Sequence, residues 1–201
     1  VSDSVELGSG WGTNSLAFRL YGMTEEAWLV DISTHVLDGA VKVFNNFGFM
    51  PFALRADIHC LPFKDRALDI SFSGGLYEHF IGKEQESLIA ENCRISNKVI
   101  CQVPEDNIFY WIYRGMITII HRRWPFGFEK PLKKKDVIGL YEKNGFVFMA
   151  KERHNIVTSF ITQIGDKWKV ASHFTIRPAI FNVFAIDILC AFSNEKVLKK
   201  P

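Results

Sequence analysis

Val5-Glu6-Leu7-Gly8-Ser9-Gly10-Trp11-Gly12-Thr13 sets three glycines at alternate positions behind a short apolar run. Glycine tolerates positive φ and carries no Cβ, so a backbone built this way can turn sharply and lie against a ligand. Amide groups at the start of a following helix favour an anionic group. Asp31 closes the next apolar run, Ala27-Trp28-Leu29-Val30, where a carboxylate can accept both hydrogen bonds of a ribose diol. Asp57, in Arg55-Ala56-Asp57-Ile58, follows a third run and could accept the exocyclic amine of an adenine, with a neighbouring amide donating to a ring nitrogen. A fourth run, Leu68-Asp69-Ile70-Ser71-Phe72-Ser73, ends in Gly74-Gly75-Leu76-Tyr77-Glu78-His79-Phe80. His79 has an imidazole suited to proton transfer near neutral pH.

Each feature has a plainer reading. The glycines could form only a tight strand-to-helix turn, with Thr13 or Asn14 capping the helix, and Asp31 or Ser33 could cap the next one. Glu78 and His79 could orient their own loop. A glycine pattern G-x-G-x-G with Trp11 inside also departs from the G-x-G-x-x-G of dinucleotide-binding proteins, which disfavours a nicotinamide enzyme.

These residues need elements to hold them. Short apolar runs alternate with amphipathic stretches at Ser15–Tyr21, Thr34–Phe47, Glu84–Cys93 and Asp136–Lys143. Further strands are expected at Phe52–Leu54, Val99–Val103, Phe146–Ala150 and Ala185–Phe192. Strand alternating with helix implies parallel β-α-β units in a doubly wound α/β sheet, with ligands at the C-terminal strand ends. One stretch, 104–131, breaks the rhythm and reads as an insertion. It holds Phe109, Tyr110, Trp111, Tyr113, Trp124, Phe126 and Phe128, with Arg114, Arg122 and Arg123.

The chain has 201 residues, 24 Lys+Arg and 22 Asp+Glu, a net charge of +2. That balance lacks the field of a general nucleic-acid binder, and the composition is too apolar for a disordered chain. The apolar stretches Ile108–Ile120 and Ala179–Phe192 are broken by polar residues and too short to span a bilayer. No secretory leader is evident. Cys60, Cys93, Cys101 and Cys190 form no C-x-x-C pair and read as reduced thiols of a cytoplasmic protein. His35, His121, His154 and His173 show no metal spacing, and Lys133-Lys134-Lys135 reads as solvated surface. Phe is abundant, at 18 residues. Phe44, Phe47, Phe49 and Phe52 are expected in the core, whereas Phe109, Phe126 and Phe128 could face a substrate.

The ordered pieces E-L-G-S-G-W-G, V-D-I-S, A-D-I-H-C-L-P-F and L-D-I-S-F-S-G-G-L-Y-E-H-F resemble the class I S-adenosylmethionine-dependent methyltransferases. The resemblance runs from Val5 to Val103 and more weakly to Phe192. It implies a Rossmann-like, mostly parallel seven-stranded sheet with an antiparallel last strand, in one domain over 1–201. The helices that precede the first strand in this family are expected to be missing, because the chain starts almost at that strand. Glu6, Gly8, Gly10 and Gly12 would surround the methionine part of S-adenosylmethionine. Asp31 would hold the ribose with Ile32 beside the adenine, Asp57 and Ile58 would meet the adenine edge, and Ser73 and Gly74 would line the floor near the sulfonium.

Methyl transfer is an in-line displacement in which the protein aligns a nucleophile and excludes water. The fourth strand lacks the N-P-P-Y type sequence of enzymes acting on bases or glutamine, and its end lacks a magnesium-binding acid pair. No double-glutamate loop of the arginine methyltransferases is evident. What remains is a small-molecule acceptor, with S-adenosylhomocysteine as by-product. His79 is the candidate base. Tyr77, Tyr110, Trp111 and Arg114 are candidate acceptor contacts, with 104–131 as cover. Alternatively the insertion packs on the sheet or on a second copy. A different class of protein is also open: a non-catalytic cofactor-binding module acting through a protein partner.

Overall fold

The computed structural model describes residues 1–155, 185–194 and 196. His173 and the first part of the Ala179–Phe192 stretch lie outside them. Seven strands form one sheet: β1 Asp3–Leu7, β2 Glu26–Asp31, β3 Phe52–Arg55, β4 Leu68–Gly74, β5 Ser96–Pro104, β6 Phe146–Asn155 and β7 Ala185–Asn194. Their order is β3-β2-β1-β4-β5-β7-β6. Only β7 runs antiparallel to its neighbours, slotted between β5 and β6. The expected doubly wound, Rossmann-like sheet is therefore present, with its antiparallel last strand.

Helices α1 Thr13–Leu20, α2 Thr34–Asn46, α3 Lys83–Ile95, α4 Ile108–His121 and α5 Lys134–Glu142 connect the strands. In α2 the apolar positions Leu37, Ala40 and Phe44 fall on one buried face, and the Ser33 side chain accepts the Val36 N–H at its start. Gly48, at φ 76°, carries the chain away from its end. Phe44 is fully buried there with Leu16, Ala27 and Leu29, and Phe49 packs partly against the same cluster. The expectation that Phe47 and Phe52 join the core is corrected: both are exposed. Phe47 lies past the buried face of α2, and Phe52 sits on edge strand β3, stacked on Trp28 at 4.6 Å.

The other face of the sheet packs on α3 and α5 through Leu88, Ile89, Val137 and Tyr141, against Val99, Cys101, Ile188 and Phe192. A buried polar network ties α3 to β4. Ser71 Oγ meets Asn92 Oδ1 and lies 2.8 Å from Ser96 Oγ, and Asn92 Nδ2 donates to the Tyr77 hydroxyl. Gln85 Nε2 donates to the carbonyls of Tyr77 and Phe80. The 3-10 turn Tyr77–His79 is thereby held from α3, which fixes the side chains at the end of β4.

The insertion 104–131 contains α4, a helix additional to the amphipathic stretches expected from the sequence. Asn107 caps it by accepting the Tyr110 N–H at 3.0 Å. The return leg runs back along the sheet end: Leu132 N–H donates to the Pro104 carbonyl and Lys130 N–H to that of Glu78, both at 2.9 Å.

Candidate active site

Leu7 and Gly8 end β1 in the middle of the sheet, beside the point where the strand order reverses. Gly8, Gly10 and Gly12 all have φ between 53° and 68°. A Cβ on Gly12 would stand 3.0 Å from Leu29 and 3.1 Å from Phe44, so α1 can approach β2 only because that position is glycine. A Cβ on Gly8 would meet Leu76 at 2.9 Å. Gly10 has open space instead, facing outward.

Two acids organise this loop. Glu6 is buried, and its carboxylate accepts Asn14 Nδ2 at 3.0 Å and the Ser15 N–H at 3.1 Å. Burial pushes its pKa up, and those hydrogen bonds pull it back. Gly12 is the residue before α1 and offers no side chain to cap it, so neither Thr13 nor Asn14 takes that place. Glu6 serves the helix start from the preceding strand. Asp31, at the end of β2, accepts the Gly10 N–H at 3.0 Å through Oδ2 and the Ser33 N–H at 2.9 Å through Oδ1. Ser33, not Asp31, caps α2. Each carboxylate oxygen can accept a second hydrogen bond, which leaves Asp31 able to take a diol.

A cavity of about 400 Å³ opens here, lined by Gly8, Asp31, Ile32, Ala56, Asp57, Ile58, His59, Leu76 and Phe80. Five of the positions singled out from sequence thus share one hollow at the C-terminal strand ends. Asp57 accepts both the N–H and the Nδ1 of His59, at 2.9 and 2.8 Å, which holds its carboxyl below the usual range. The loop after Asp57 is pinned by Arg94, which donates to the carbonyls of Leu61 and Phe63 and to Asp65. Three lining residues lie within the motif pieces but take no role from them. His59 and Phe80 meet edge to face at 5.5 Å, and Leu76 covers Gly8. The signal for His59 is its place two residues after Asp57; nothing in sequence brings Phe80 back to that loop.

Ser73 is buried at the end of β4. Gly74 lies next to Asn14 and Gln102; a Cβ there would stand 3.4 Å from Asn14 Nδ2. The acceptor side is built differently from the expectation. Tyr77 is redirected: it is buried, its hydroxyl takes the Asn92 amide, and its ring packs on Tyr141, so its polar atom anchors the turn instead of facing an acceptor. Arg114 is also redirected. It donates to the Tyr110 hydroxyl at 3.0 Å and the Glu129 carbonyl at 2.9 Å and lies over both Trp111 and Trp124. Tyr110 is buried within the insertion, with its hydroxyl donating to Glu129 Oε1. Trp111 is half exposed and donates to Asp106. Phe109 packs on the insertion's own small core, whereas Phe126 and Phe128 are exposed.

His79 is exposed, and its Nδ1 lies 2.6 Å from the Phe128 carbonyl. A carbonyl only accepts, so Nδ1 donates there and Nε2 is the ring nitrogen left to face another partner. Glu78, its neighbour, is 3% exposed and has an Oε2 without a hydrogen-bond partner. Burial, with Glu129 and Asp187 nearby, pushes its pKa up to about 8. Among the described residues no group of side chains is arranged to hold a metal ion, and no helix is long and apolar enough to cross a membrane.

A methyltransferase-domain family model matches residues 5–98. No curated protein matches the sequence. Among solved structures, magnesium protoporphyrin IX methyltransferase from Synechocystis, with bound S-adenosylhomocysteine, superposes with a TM-score of 0.65 at 14% identity, covering 96% of this chain and 74% of that one. An S-adenosylmethionine-dependent methyltransferase from Clostridium acetobutylicum gives 0.62 at 13% identity, covering 96% and 84%. A methyltransferase from Haloferax volcanii, solved with the Trm112 activator, gives 0.65 at 14% identity, covering 95% and 82%.

Proposed function

We propose that this chain is a class I S-adenosylmethionine-dependent methyltransferase that moves the methyl group to a small-molecule acceptor, a reading supported by the matched methyltransferase domain and the shared fold. The carrying observation is the cavity that joins the glycine loop, Asp31 and Asp57. When bound, S-adenosylmethionine supplies an activated methyl group on a sulfonium. Asp31 would hold the ribose hydroxyls and Ile32 would pack beside the adenine. The adenine edge would lie at Asp57 and Ile58. Gly8 and Gly10 would present backbone to the methionine part, with Glu6 and Gly12 acting through the helix start they build. Ser73 and Gly74 would line the floor.

The acceptor would approach from the end of β4, under the 104–131 insertion. Glu78 and His79 are the groups there with a titratable atom left unpaired by hydrogen bonds. His79 Nε2 could take a proton from an acceptor. All four cysteines are free thiols, in keeping with a reducing, cytoplasmic setting. Isothermal calorimetry with S-adenosylhomocysteine tests the cofactor assignment, and micromolar binding is expected. No binding at millimolar ligand would sink it. Binding without methyl transfer to any acceptor in a broad metabolite screen would favour a non-catalytic module instead.

A further inference from the structure

Three carboxyl groups from separate parts of the chain lie toward the end of β4, near enough to act on one another electrostatically. Glu78 comes from the 3-10 turn, Glu129 from the return leg of the insertion, and Asp187 from β7. Both Glu129 and Asp187 act electrostatically on Glu78. Both also act on Tyr113, a buried side chain of α4. Each of the outer two is held in place. Glu129 accepts the Tyr110 hydroxyl and Trp124 Nε1, and Asp187 accepts Gln102 Nε2 at 3.1 Å. Glu78 is the exception: it is more than nine-tenths buried, Oε1 lies beside Gly75, and Oε2 meets no donor. Gly75 itself donates its N–H to the Gln102 carbonyl, which places this carboxyl against the strand ends that carry Gly74.

A buried carboxyl oxygen without a donor is costly to keep unless a ligand supplies one. Of the nearby cations, Arg114 already serves the Tyr110 hydroxyl and the Glu129 carbonyl, and Lys130 meets the Glu78 carbonyl through its backbone N–H. His79 is exposed and holds the Phe128 carbonyl. Glu78 Oε2 is thus left without a donor, which favours a ligand that brings an N–H. A divalent ion does not answer, because no group of acids or histidines among the described residues is arranged for one. The aromatic surroundings, Tyr113 and Trp124, suit a cation with an apolar body.

We propose that Glu78, supported by Glu129 and Asp187, forms the binding site for a protonated amine, and that this nitrogen is the methyl acceptor. The inference rests on the methyltransferase reading and narrows its substrate class. Binding of the ammonium drives Glu78 to release its own proton to water and become a carboxylate, which then takes one proton from the ammonium and frees the nitrogen lone pair. A nitrogen–carbon bond then forms to the methyl group as the sulfur–carbon bond breaks, with that electron pair left on sulfur as a thioether. The positive charge passes from sulfur to nitrogen, and Glu78 returns its proton to water.

The test uses the full chain with methyl-labelled S-adenosylmethionine and a matched panel: benzylamine, phenethylamine and N-methylbenzylamine against benzyl alcohol, phenol and benzoate. In parallel, the melting temperature of protein saturated with S-adenosylhomocysteine is recorded with each probe. Label is expected on nitrogen. Glu78→Gln should lower kcat/KM for the amines by ~100-fold or more, with S-adenosylhomocysteine Kd unchanged within about twofold. Asp187→Asn, expected to lose ~10-fold through KM, serves if the first variant folds poorly. Label on oxygen but not on nitrogen overturns the proposal and leaves the methyltransferase reading standing. So does a panel in which no amine is methylated or raises the melting temperature. Failure to bind S-adenosylhomocysteine removes the underlying reading itself.

Discussion

The two halves of the proposed site, one for cofactor and one for acceptor, are made of different materials. The cofactor half, around β1 to β3, is a backbone site. Its shape comes from three positive-φ glycines and from Asp31, which ties Gly10 to Ser33. The acceptor half, around the end of β4, is a side-chain site. Its groups arrive from a 3-10 turn, an inserted loop and the last strand. A backbone site is intolerant of added atoms but indifferent to most neighbours. A side-chain site can be retuned one residue at a time.

The sharpest way to break that contrast is to add atoms to the backbone site. Gly12→Val puts a branched residue at φ 68°, with its Cβ about 3 Å from both Leu29 and Phe44. Left-handed backbone costs ~1–2 kcal/mol and overpacking ~1–3 kcal/mol, so a loss of ~3 kcal/mol is expected. Thermal denaturation should show a fall of roughly 6–12 °C. A variant as stable as the parent would show that α1 can retreat from β2. Next comes Asp31→Ala, which should weaken S-adenosylhomocysteine by ~1.5–3 kcal/mol, or ~10–150-fold, in calorimetry. Unchanged affinity would remove Asp31 from the site.

The same contrast decides what is legible in the residue order. Glycine spacing and a strand-end acid are local patterns, so the loop at Gly8–Gly12, Asp31 and Asp57 can be read from the residue order alone. The parallel part of the sheet follows from the strand–helix rhythm, whereas the antiparallel last strand is implied only by the family resemblance. The acceptor side is not legible in that way, because it depends on contacts between distant segments. Nothing near Tyr77 announces that Asn92 will take its hydroxyl, and nothing near Arg114 that two indoles will enclose it. Glu78 and His79 are adjacent, and by residue type the imidazole is the more obvious base. Burial, which sequence does not report, is what distinguishes Glu78 from its neighbour.

A third prediction turns on that burial. Glu78 stays protonated in the folded chain up to about pH 8, whereas in the unfolded chain it ionises near 4.5. Below the unfolded value both states hold the proton, and no stability difference arises. Between the two values only the unfolded state ionises, so stability falls as pH rises, levelling off above about 8. Glu78→Gln cannot ionise and escapes this loss. It should match the parent near pH 4 and exceed it by ~1–3 kcal/mol at pH 8, roughly 2–10 °C in melting temperature. Equal pH profiles would mean that water already reaches the carboxylate. The comparison then sharpens, since an acceptor site that gains stability when its acid is removed is one strained in favour of a ligand.

The smallest effect lies where the backbone site borrows a side chain. Trp11 sits inside the glycine loop but lies across α2, and a Cβ on Gly39 would fall 2.2 Å from its ring. Trp11 also meets His35 edge to face, at 6.4 Å between ring centres. Gly39→Ala forces the indole aside. Because Trp11 is 53% exposed, it can swing toward solvent without opening the core. Alanine also favours the helix by ~1 kcal/mol over glycine, which offsets the lost contact, so net stability should change by less than ~1 kcal/mol. The indole should instead report the move through a red-shifted emission, and S-adenosylhomocysteine affinity should drop by only ~2–5-fold as the loop loses its brace. If emission shifts while affinity stays fixed, the glycines and Asp31 hold the loop unaided, and the cofactor half is a backbone site throughout. A loss as large as that of Asp31→Ala would mean instead that the loop depends on Trp11 as its clamp, and the two halves would differ less than their construction implies.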